Sequence, residues 1–443
     1  MVKFINKIEV KELFGYYNYM VERKNIDEEL LLIIYGDNGC GKTTLLELAF
    51  NLLSIVNGNG QKTKIANIKF KEFIVTFDGD IKVMAIRGSS SIGSYHFIIT
   101  EKDKIIEEME LLVDSQCKVR FEDNSESDIK FTRMLKYIED MNVSMHYLTD
   151  KRKLYSDNHK NISKRKEIPS RRLIDDDDYY YNEENIKDEL LQSILTLEGW
   201  IKKRVLESSR KGEKNINTIY SDLIKRVINN TTKNITQVDL EKLKHKLIYI
   251  RDLNKDYSKY GLSSKIETKD IENTLNNLQE KEFMMIYNIL EPYIDGLESR
   301  LNSLKNIQNL IEFLISNVNK YFTNKELKYD LSNGFSIFSD DTEEKLLFTM
   351  LSSGERQLLL LFSNIITSSD NPSIFIIDEP EISLNIKWQR KLISTLIKLS
   401  NNSKIQFILA THSIELLTNY KSSVNKLEHI IIERKGKKLD KLY

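Results

Sequence analysis

Gly36-Asp37-Asn38-Gly39-Cys40-Gly41-Lys42-Thr43-Thr44 fits the pattern G-x-x-x-x-G-K-[ST], the spacing of a loop that cradles nucleotide phosphates. The apolar run at residues 30–35 reads as a buried strand, and residues 43–49 read as the first turns of a helix. Gly36, Gly39 and Gly41 allow the tight turn that aims backbone N–H groups at phosphate oxygens. Asp37, Asn38, Gly39, Cys40, Gly41, Lys42, Thr43 and Thr44 are therefore the expected nucleotide-contacting residues. Lys42 is expected to reach the β/γ-phosphates and the Thr43 hydroxyl to ligate Mg²⁺, while the helix N-terminus favours the anion. A chance match in a chain of this length has a likelihood of roughly a per cent. A nucleoside triphosphate is the expected ligand.

The kind of nucleotide enzyme is written near the other end. Leu351-Ser352-Ser353-Gly354-Glu355-Arg356-Gln357 leads into an apolar helix at residues 358–362. A strand at residues 373–377 ends in Asp378-Glu379-Pro380-Glu381, and another at 406–410 ends in Thr411-His412-Ser413. Alone, each is commonplace. In this order behind a phosphate loop, they resemble the motifs of the ABC-type ATPases. Residues 351–357 are similar to the signature motif, Asp378-Glu379 to Walker B and His412 to the switch histidine, with Ser383-Leu384-Asn385 at the D-loop position.

The resemblance implies ATP and Mg²⁺ as ligands. Asp378 would hold Mg²⁺ through water, Glu379 would polarise the attacking water, and His412 would contact the γ-phosphate or fix Glu379. Ser352, Ser353, Gly354 and Glu355 would form a second anion-binding helix terminus. In the ABC family that terminus faces the nucleotide of the other subunit, which implies a head-to-tail homodimer, with higher oligomers open to it. The implied fold is α/β: a P-loop ABC-ATPase head with a mixed, largely parallel core sheet and an antiparallel subsheet, carrying an inserted α-helical, short coiled-coil arm.

Composition narrows the setting. Lys+Arg 66 balances Asp+Glu 66, so no global field favours nucleic acid, and any such site must be local. Two cysteines, Cys40 and Cys117, supply neither a disulfide framework nor a C-x-x-C metal knuckle. The N-terminal residues lack the apolar core of a signal peptide and no apolar run approaches a membrane span, so a cytoplasmic protein without membrane partners is expected.

Three regions are expected: an N-terminal ATPase lobe at 1–150, an insertion at 151–322 and a C-terminal ATPase lobe at 323–443. In the first, residues 4–10, 65–77, 81–87 and 95–100 read as strands, with Asp78-Gly79-Asp80 as a hairpin turn. Residues 144–150 read as the last strand before the insertion. The magnesium-contacting Gln that the ABC family places after that strand is missing; Thr149 and Asp150 stand there. Phe14, Tyr16 and Tyr17 are candidates for an adenine platform, or for ordinary sheet packing.

The insertion opens with nine basic residues, Lys151, Arg152, Lys153, Lys160, Lys164, Arg165, Lys166, Arg171 and Arg172, opposed only by Asp157 and Glu167. An acidic run follows, beginning Asp175-Asp176-Asp177-Asp178. Two readings stand: a charged loop whose halves neutralise each other, or a surface for nucleic acid or a partner protein. Beyond residue 185 the pattern turns helical. Pro292 is expected to interrupt it. The second arm then sets Ile294, Leu297, Leu301, Leu304, Ile307, Ile311, Leu314, Val318 and Tyr321 at steps of three or four, a packing seam about 40 Å long at roughly 1.5 Å per residue. Strands return at 327–331 and 335–338, and a final one is expected at 429–433.

An insertion this long between Lys42 and Ser352 disfavours the transporter ATPases and points to the SMC, RecF and OLD branch. The phosphate loop and residues 378–384 most resemble the OLD-like ATPase subunits of bacterial anti-phage defence, such as those of the Septu and PARIS systems. Asn385 departs from the His common there. OLD nucleases proper continue into a Toprim domain; with the 31 residues after His412, no fused nuclease is expected here. The expected function is a defence ATPase that senses infection and controls a separately encoded effector, typically a nuclease in such systems. The alternative is a RecF-like ATPase acting directly on DNA in repair.

Overall fold

The computed structural model describes residues 2–24, 30–56, 60–88, 90–116, 118–119, 126–157, 183–228, 236–276, 279, 282–400 and 404–428. The chain divides into two compact units, Met1–Asn182 with Ser368–Tyr443, and Glu183–Thr367. The first fifteen residues of the helix carrying the signature segment fall in the second.

The first unit begins with β1 (Ile5–Leu13), β2 (Tyr17–Glu22) and β3 (Leu31–Tyr35), then α1 (Lys42–Leu53) and α2 (Gln61–Asn67). There follow β4 (Glu72–Phe77), β5 (Ile81–Ile86), β6 (Tyr95–Glu101), β7 (Lys104–Leu111), α3 (Glu126–Asp140), β8 (Ser144–Leu148) and β9 (Leu154–Asp157). The second unit holds α4 (Glu183–Ile228), α5 (Gln237–Ser258), α6 (Lys269–Asn276), α7 (Phe283–Tyr321), β10 (Lys325–Asp330), β11 (Gly334–Ser339), β12 (Lys345–Leu346) and most of α8 (Ser353–Ser368). The chain returns to the first unit with β13 (Ser373–Asp378), α9 (Ile386–Leu399), β14 (Ile405–Thr411), α10 (Ile414–Leu417) and β15 (Val424–Lys426).

Two six-stranded sheets build the first unit. One is antiparallel, in the order β2-β1-β4-β5-β6-β7; the other runs β15-β3-β14-β13-β8-β9 and is parallel except for β9. Every residue of β13 and β14 is buried, as parallel strands covered on both faces require, whereas β5 alternates buried and half-buried positions. The α/β head with mixed core sheet, antiparallel subsheet and helical insertion is thus as expected.

Three local expectations are corrected. Residues 65–67 close the helix α2 rather than opening a strand; Lys62 from that helix reaches the terminal carbonyls of α1, donating to Asn51 O at 2.9 Å, Leu52 O and Ser54 O at 3.1 Å. β8 is followed by a further strand, β9, which turns back antiparallel and stacks Tyr155 near Tyr147 and Phe50. Pro292 interrupts nothing: α7 runs unbroken through it for 39 residues. A proline removes one N–H bond and crowds one carbonyl, a local penalty that a long helix anchored by a buried seam can absorb.

In that seam Ile294, Leu301, Leu304, Ile307, Ile311, Leu314, Val318 and Tyr321 are buried and Leu297 is half-buried. Its partner α4 buries Leu190, Ile194, Leu197, Ile201 and Val205 at matching helical steps. Among the described residues no helix is long and apolar enough to cross a membrane. Of the basic segment, Lys151, Arg152 and Lys153 are described; the remaining basic residues, Asp175–Asp178 and the strand expected at 429–433 lie outside the described residues.

Candidate functional site

Three adjacent parallel strands deliver the motifs of the first unit to one sheet edge. β3 runs into the phosphate loop, β13 ends in Asp378, and β14 runs into His412. The register sets Tyr35 beside Thr411 and Asp378 beside Ala410. Sites of open α/β sheets lie outside the carboxyl ends of their strands.

The loop needs its glycines at two points in particular. Gly39 and Gly41 have φ of 81° and 88°, and a Cβ on Gly41 would lie 3.0 Å from Leu13 Cδ2 and 3.1 Å from Phe14 Cε2. The β1–β2 hairpin thus braces the loop. Asp37, Asn38 and Gly39 form an exposed rim, while Cys40 and Thr43 and Thr44 are half-buried. Cys40 Sγ folds against Gly36, a packing role. Lys42 is buried and donates to Gly36 O at 2.8 Å and Asp37 O at 3.0 Å. Its ammonium has three donors, so these two bonds leave one for a phosphate oxygen.

Asp378 is fully buried, and neither carboxylate oxygen closes a hydrogen bond with a described residue. Burial pushes its pKa up to about 6; the Thr43 hydroxyl opposes the shift, and Asp150, Glu379 and Glu47 add to it. A buried carboxylate beside a threonine hydroxyl fits a divalent cation. Among the described residues no group of three or more His, Cys, Asp or Glu side chains could hold a metal by itself. Mg²⁺ would therefore sit on Thr43 and Asp378 and complete its shell with phosphate and water oxygens.

Glu379 has a left-handed φ of 44° and donates its N–H to Ala410 O at 2.9 Å, which ties the end of β13 to β14. Such a conformation is strained for a residue with a Cβ, and strain of this sort concentrates at functional sites. His412 Nδ1 lies 3.4 Å from Glu379 Oε1 and 3.2 Å from Glu381 Oε1. Glu381 is buried, and its Oε1 also accepts from Thr411 Oγ1 at 2.5 Å, His412 N at 2.9 Å and Ser413 N at 3.2 Å. Ser413 Oγ in turn donates to Gln389 Oε1 at 2.7 Å. Glu381 and Gln389 were not singled out by sequence; for Glu381 the signal was a third acid three positions after Asp378, and for Gln389 there was none.

Asn385 caps α9, accepting from Trp388 N at 3.0 Å, which accounts for an Asn at that position. Ser383, φ 63°, meets Arg152 of the β8–β9 turn. Of the adenine candidates, Tyr16 is exposed and Tyr17 half-buried, with ring centroids 4.2 Å apart, and Phe14 packs on the loop at Gly41.

In the second unit, Ser352 and Glu355 form a reciprocal cap on α8: Ser352 N donates to Glu355 Oε2 at 2.7 Å and Glu355 N to Ser352 Oγ at 3.3 Å. Lys325 Nζ neutralises Glu355 at 3.0 Å. Glu355 is thereby committed to its own helix, and Ser353 and Gly354 hold the first-turn N–H groups available to an anion.

The family described as "AAA domain, putative AbiEii toxin, Type IV TA system" matches residues 31–418. Among curated relatives, the "Retron Vc95 probable ATPase" of Vibrio cholerae serotype O1 biovar El Tor is 23% identical over 469 residues, covering 96% of this chain and 76% of that protein. The "Retron Ec83 probable ATPase" of Escherichia coli is 29% identical over 148 residues, 33% of this chain and 25% of that protein. Among solved structures, the Smc head domain with an extended coiled coil from Pyrococcus furiosus, bound to the C-terminal domain of ScpA, aligns with TM-score 0.37 and 15% identity over 94% of this chain and 92% of that one. The Smc head domain with coiled coil and joint from Pyrococcus yayanosii aligns with TM-score 0.35 and 14% identity over 94% of each.

Proposed function

Because the chain belongs to this AAA-domain family, we propose that it binds Mg·ATP at the β3–β13–β14 edge and hydrolyses it to ADP and phosphate. The observation that carries the reading is the convergence of Lys42, Asp378, Glu379 and His412 at the ends of three neighbouring parallel strands. In this reading Lys42 offers its third donor to the β/γ-phosphate oxygens, and the N–H groups of residues 37–44 take the rest of the chain of phosphates. Thr43 and Asp378 would hold Mg²⁺, whose charge, when bound, would be supplied to the phosphoryl oxygens. Glu379 orients the attacking water and accepts its proton, and His412 stands next to Glu379 on the γ-phosphate side.

Ser352, Ser353 and Gly354 serve the nucleotide of a second copy, in a head-to-tail homodimer that closes on ATP and opens after hydrolysis. The alignment with a retron ATPase over nearly the whole chain supports placing this ATPase in an anti-phage defence system, where ATP state would govern a separately encoded effector, a nuclease being the first to test.

The test is a pair of variants. Glu379→Gln is expected to keep ATP affinity and lose hydrolysis by on the order of 10²–10⁴-fold. Lys42→Ala is expected to lose affinity itself. Parental turnover in Glu379→Gln, or unchanged ATP affinity in Lys42→Ala, would sink the assignment.

A further inference from the structure

We propose that Glu381 is a positioning residue for His412, holding the imidazole with Nδ1 turned inward so that Nε2 alone is presented to the nucleotide. The proposal deepens the ATPase reading and rests on it for its kinetic part.

Three donors converge on one oxygen of Glu381: the Thr411 hydroxyl, the His412 N–H and the Ser413 N–H. They are the residue before the histidine, the histidine itself and the residue after it. The backbone around His412 is therefore pinned to a single carboxylate oxygen that is itself buried. The same oxygen lies 3.2 Å from His412 Nδ1, closer than Glu379 Oε1 at 3.4 Å. Backbone and ring thus face the same atom, the backbone through hydrogen bonds and the ring nitrogen at ion-pair distance.

Stitching the loop together does not by itself call for a carboxylate, because an amide oxygen accepts the same three bonds without burying a charge. Glu381 nevertheless carries a second oxygen, Oε2, that is buried and meets no donor among the described residues. The chargeable group found against this carboxylate is the His412 ring. A carboxylate beside one ring nitrogen keeps the proton on that nitrogen and fixes which nitrogen faces outward. An Nδ1–H can donate fully to one acceptor. With Nδ1 drawn toward Glu381, Glu379 Oε1 is left to the attacking water and Nε2 to the nucleotide.

The experiment uses the full chain with Glu381→Ala and the near-isosteric Glu381→Gln, and two readouts. The first is steady-state hydrolysis alongside equilibrium binding of a fluorescent ATP analogue. Glu381→Ala is expected to lower kcat about 10²-fold, the effect of a misplaced catalytic group, with nucleotide affinity within about twofold of parental. Glu381→Gln, which keeps the three acceptor bonds without the charge, is expected to fall between. The second is the ¹⁵N spectrum of the His412 imidazole, assigned by its loss in His412→Gln. The parental chain is expected to show the Nδ1–H form and Glu381→Ala the Nε2–H form.

Parental kcat in Glu381→Ala, or a drop in nucleotide affinity matching the drop in kcat, overturns the proposal. So does an unchanged imidazole form. If the parental chain hydrolyses no ATP, the functional reading fails separately and the imidazole spectra alone decide on Glu381.

Discussion

His146 sits inside the parallel sheet, 1% exposed, with Nδ1 2.8 Å from the Ser156 hydroxyl, Nε2 3.1 Å from the Ser368 hydroxyl, and its ring stacked on Phe375 at 4.4 Å. Burial lowers its pKa to about 4. Between that value and the ordinary one near 6.5 the unfolded chain binds a proton that the folded chain refuses, so stability present above the ordinary pKa is lost as pH falls toward 4. The loss attributable to this ring is at most ~3.5 kcal/mol, because each tenfold weakening of proton affinity is worth roughly 1.4 kcal/mol. His146→Phe keeps the stacking and cannot titrate. It is expected to be less stable than the parent at neutral pH but to lose less on going from pH 6.5 to 4.5, as thermal unfolding would register; equal losses would remove His146 as the source. The same residue-by-residue view explains what sequence could reveal at the site. The phosphate loop is contiguous and its chemistry can be read in order. The pairing of Glu381 with His412 joins residues about 30 positions apart across two strands and is visible only once β13 and β14 lie side by side. Lys62 is a similar case: an ordinary lysine in the sequence, it is buried beneath the last turn of α1, where its ammonium replaces a basic residue that the turn itself lacks.

Helix α7 is the element that periodicity revealed most directly and misjudged at one point. Its seam is a run of large apolar residues, so burial follows spacing; Pro292 is a single local offence against it, and spacing carries no measure of how much the seam outweighs. β9 escaped notice for the opposite reason. Leu154-Tyr155-Ser156-Asp157 is short and lies next to basic residues, and it becomes a strand through pairing with β8 and aromatic packing on Tyr147 and Phe50. The seam makes a quantitative expectation. Leu304 is fully buried and Leu297 half-buried, on the same helix and of the same chemistry. Leu304→Ala should cost ~2–5 kcal/mol and Leu297→Ala clearly less, since both the transfer and the cavity terms scale with what is buried. Melting temperatures of the two variants provide the comparison, and equal shifts would show that the α4–α7 packing is not centred on this seam.

At the scale of the whole molecule, a site divided between copies makes a demand that a self-sufficient site does not. If Ser352 and Gly354 of one copy complete the nucleotide site on Lys42 of the other, an inactive Lys42→Ala chain mixed with an inactive Ser352→Arg chain should regain hydrolysis, because one of two composite sites then has both halves. Mixed dimers verified by differential tagging that recover nothing would refute the shared arrangement. The architecture was legible at this scale because its landmark motifs keep a fixed order along the chain, whereas the grouping of β10–β12 and α8 with the helices is a matter of three-dimensional contact that order does not encode. The sheet order has one more implication, for biogenesis. β3, which carries the phosphate loop, is flanked by β14 and β15, so both of its neighbours emerge from the ribosome only after the entire insertion has been translated. Until Thr411 and Lys426 are made, β3 lacks both of its neighbours in the parallel sheet, and until Asp378 is made Thr43 lacks its acidic companion. The order of translation thus delays closure of the parallel sheet around β3, and long-range pairing of this sort is intrinsically slow to form.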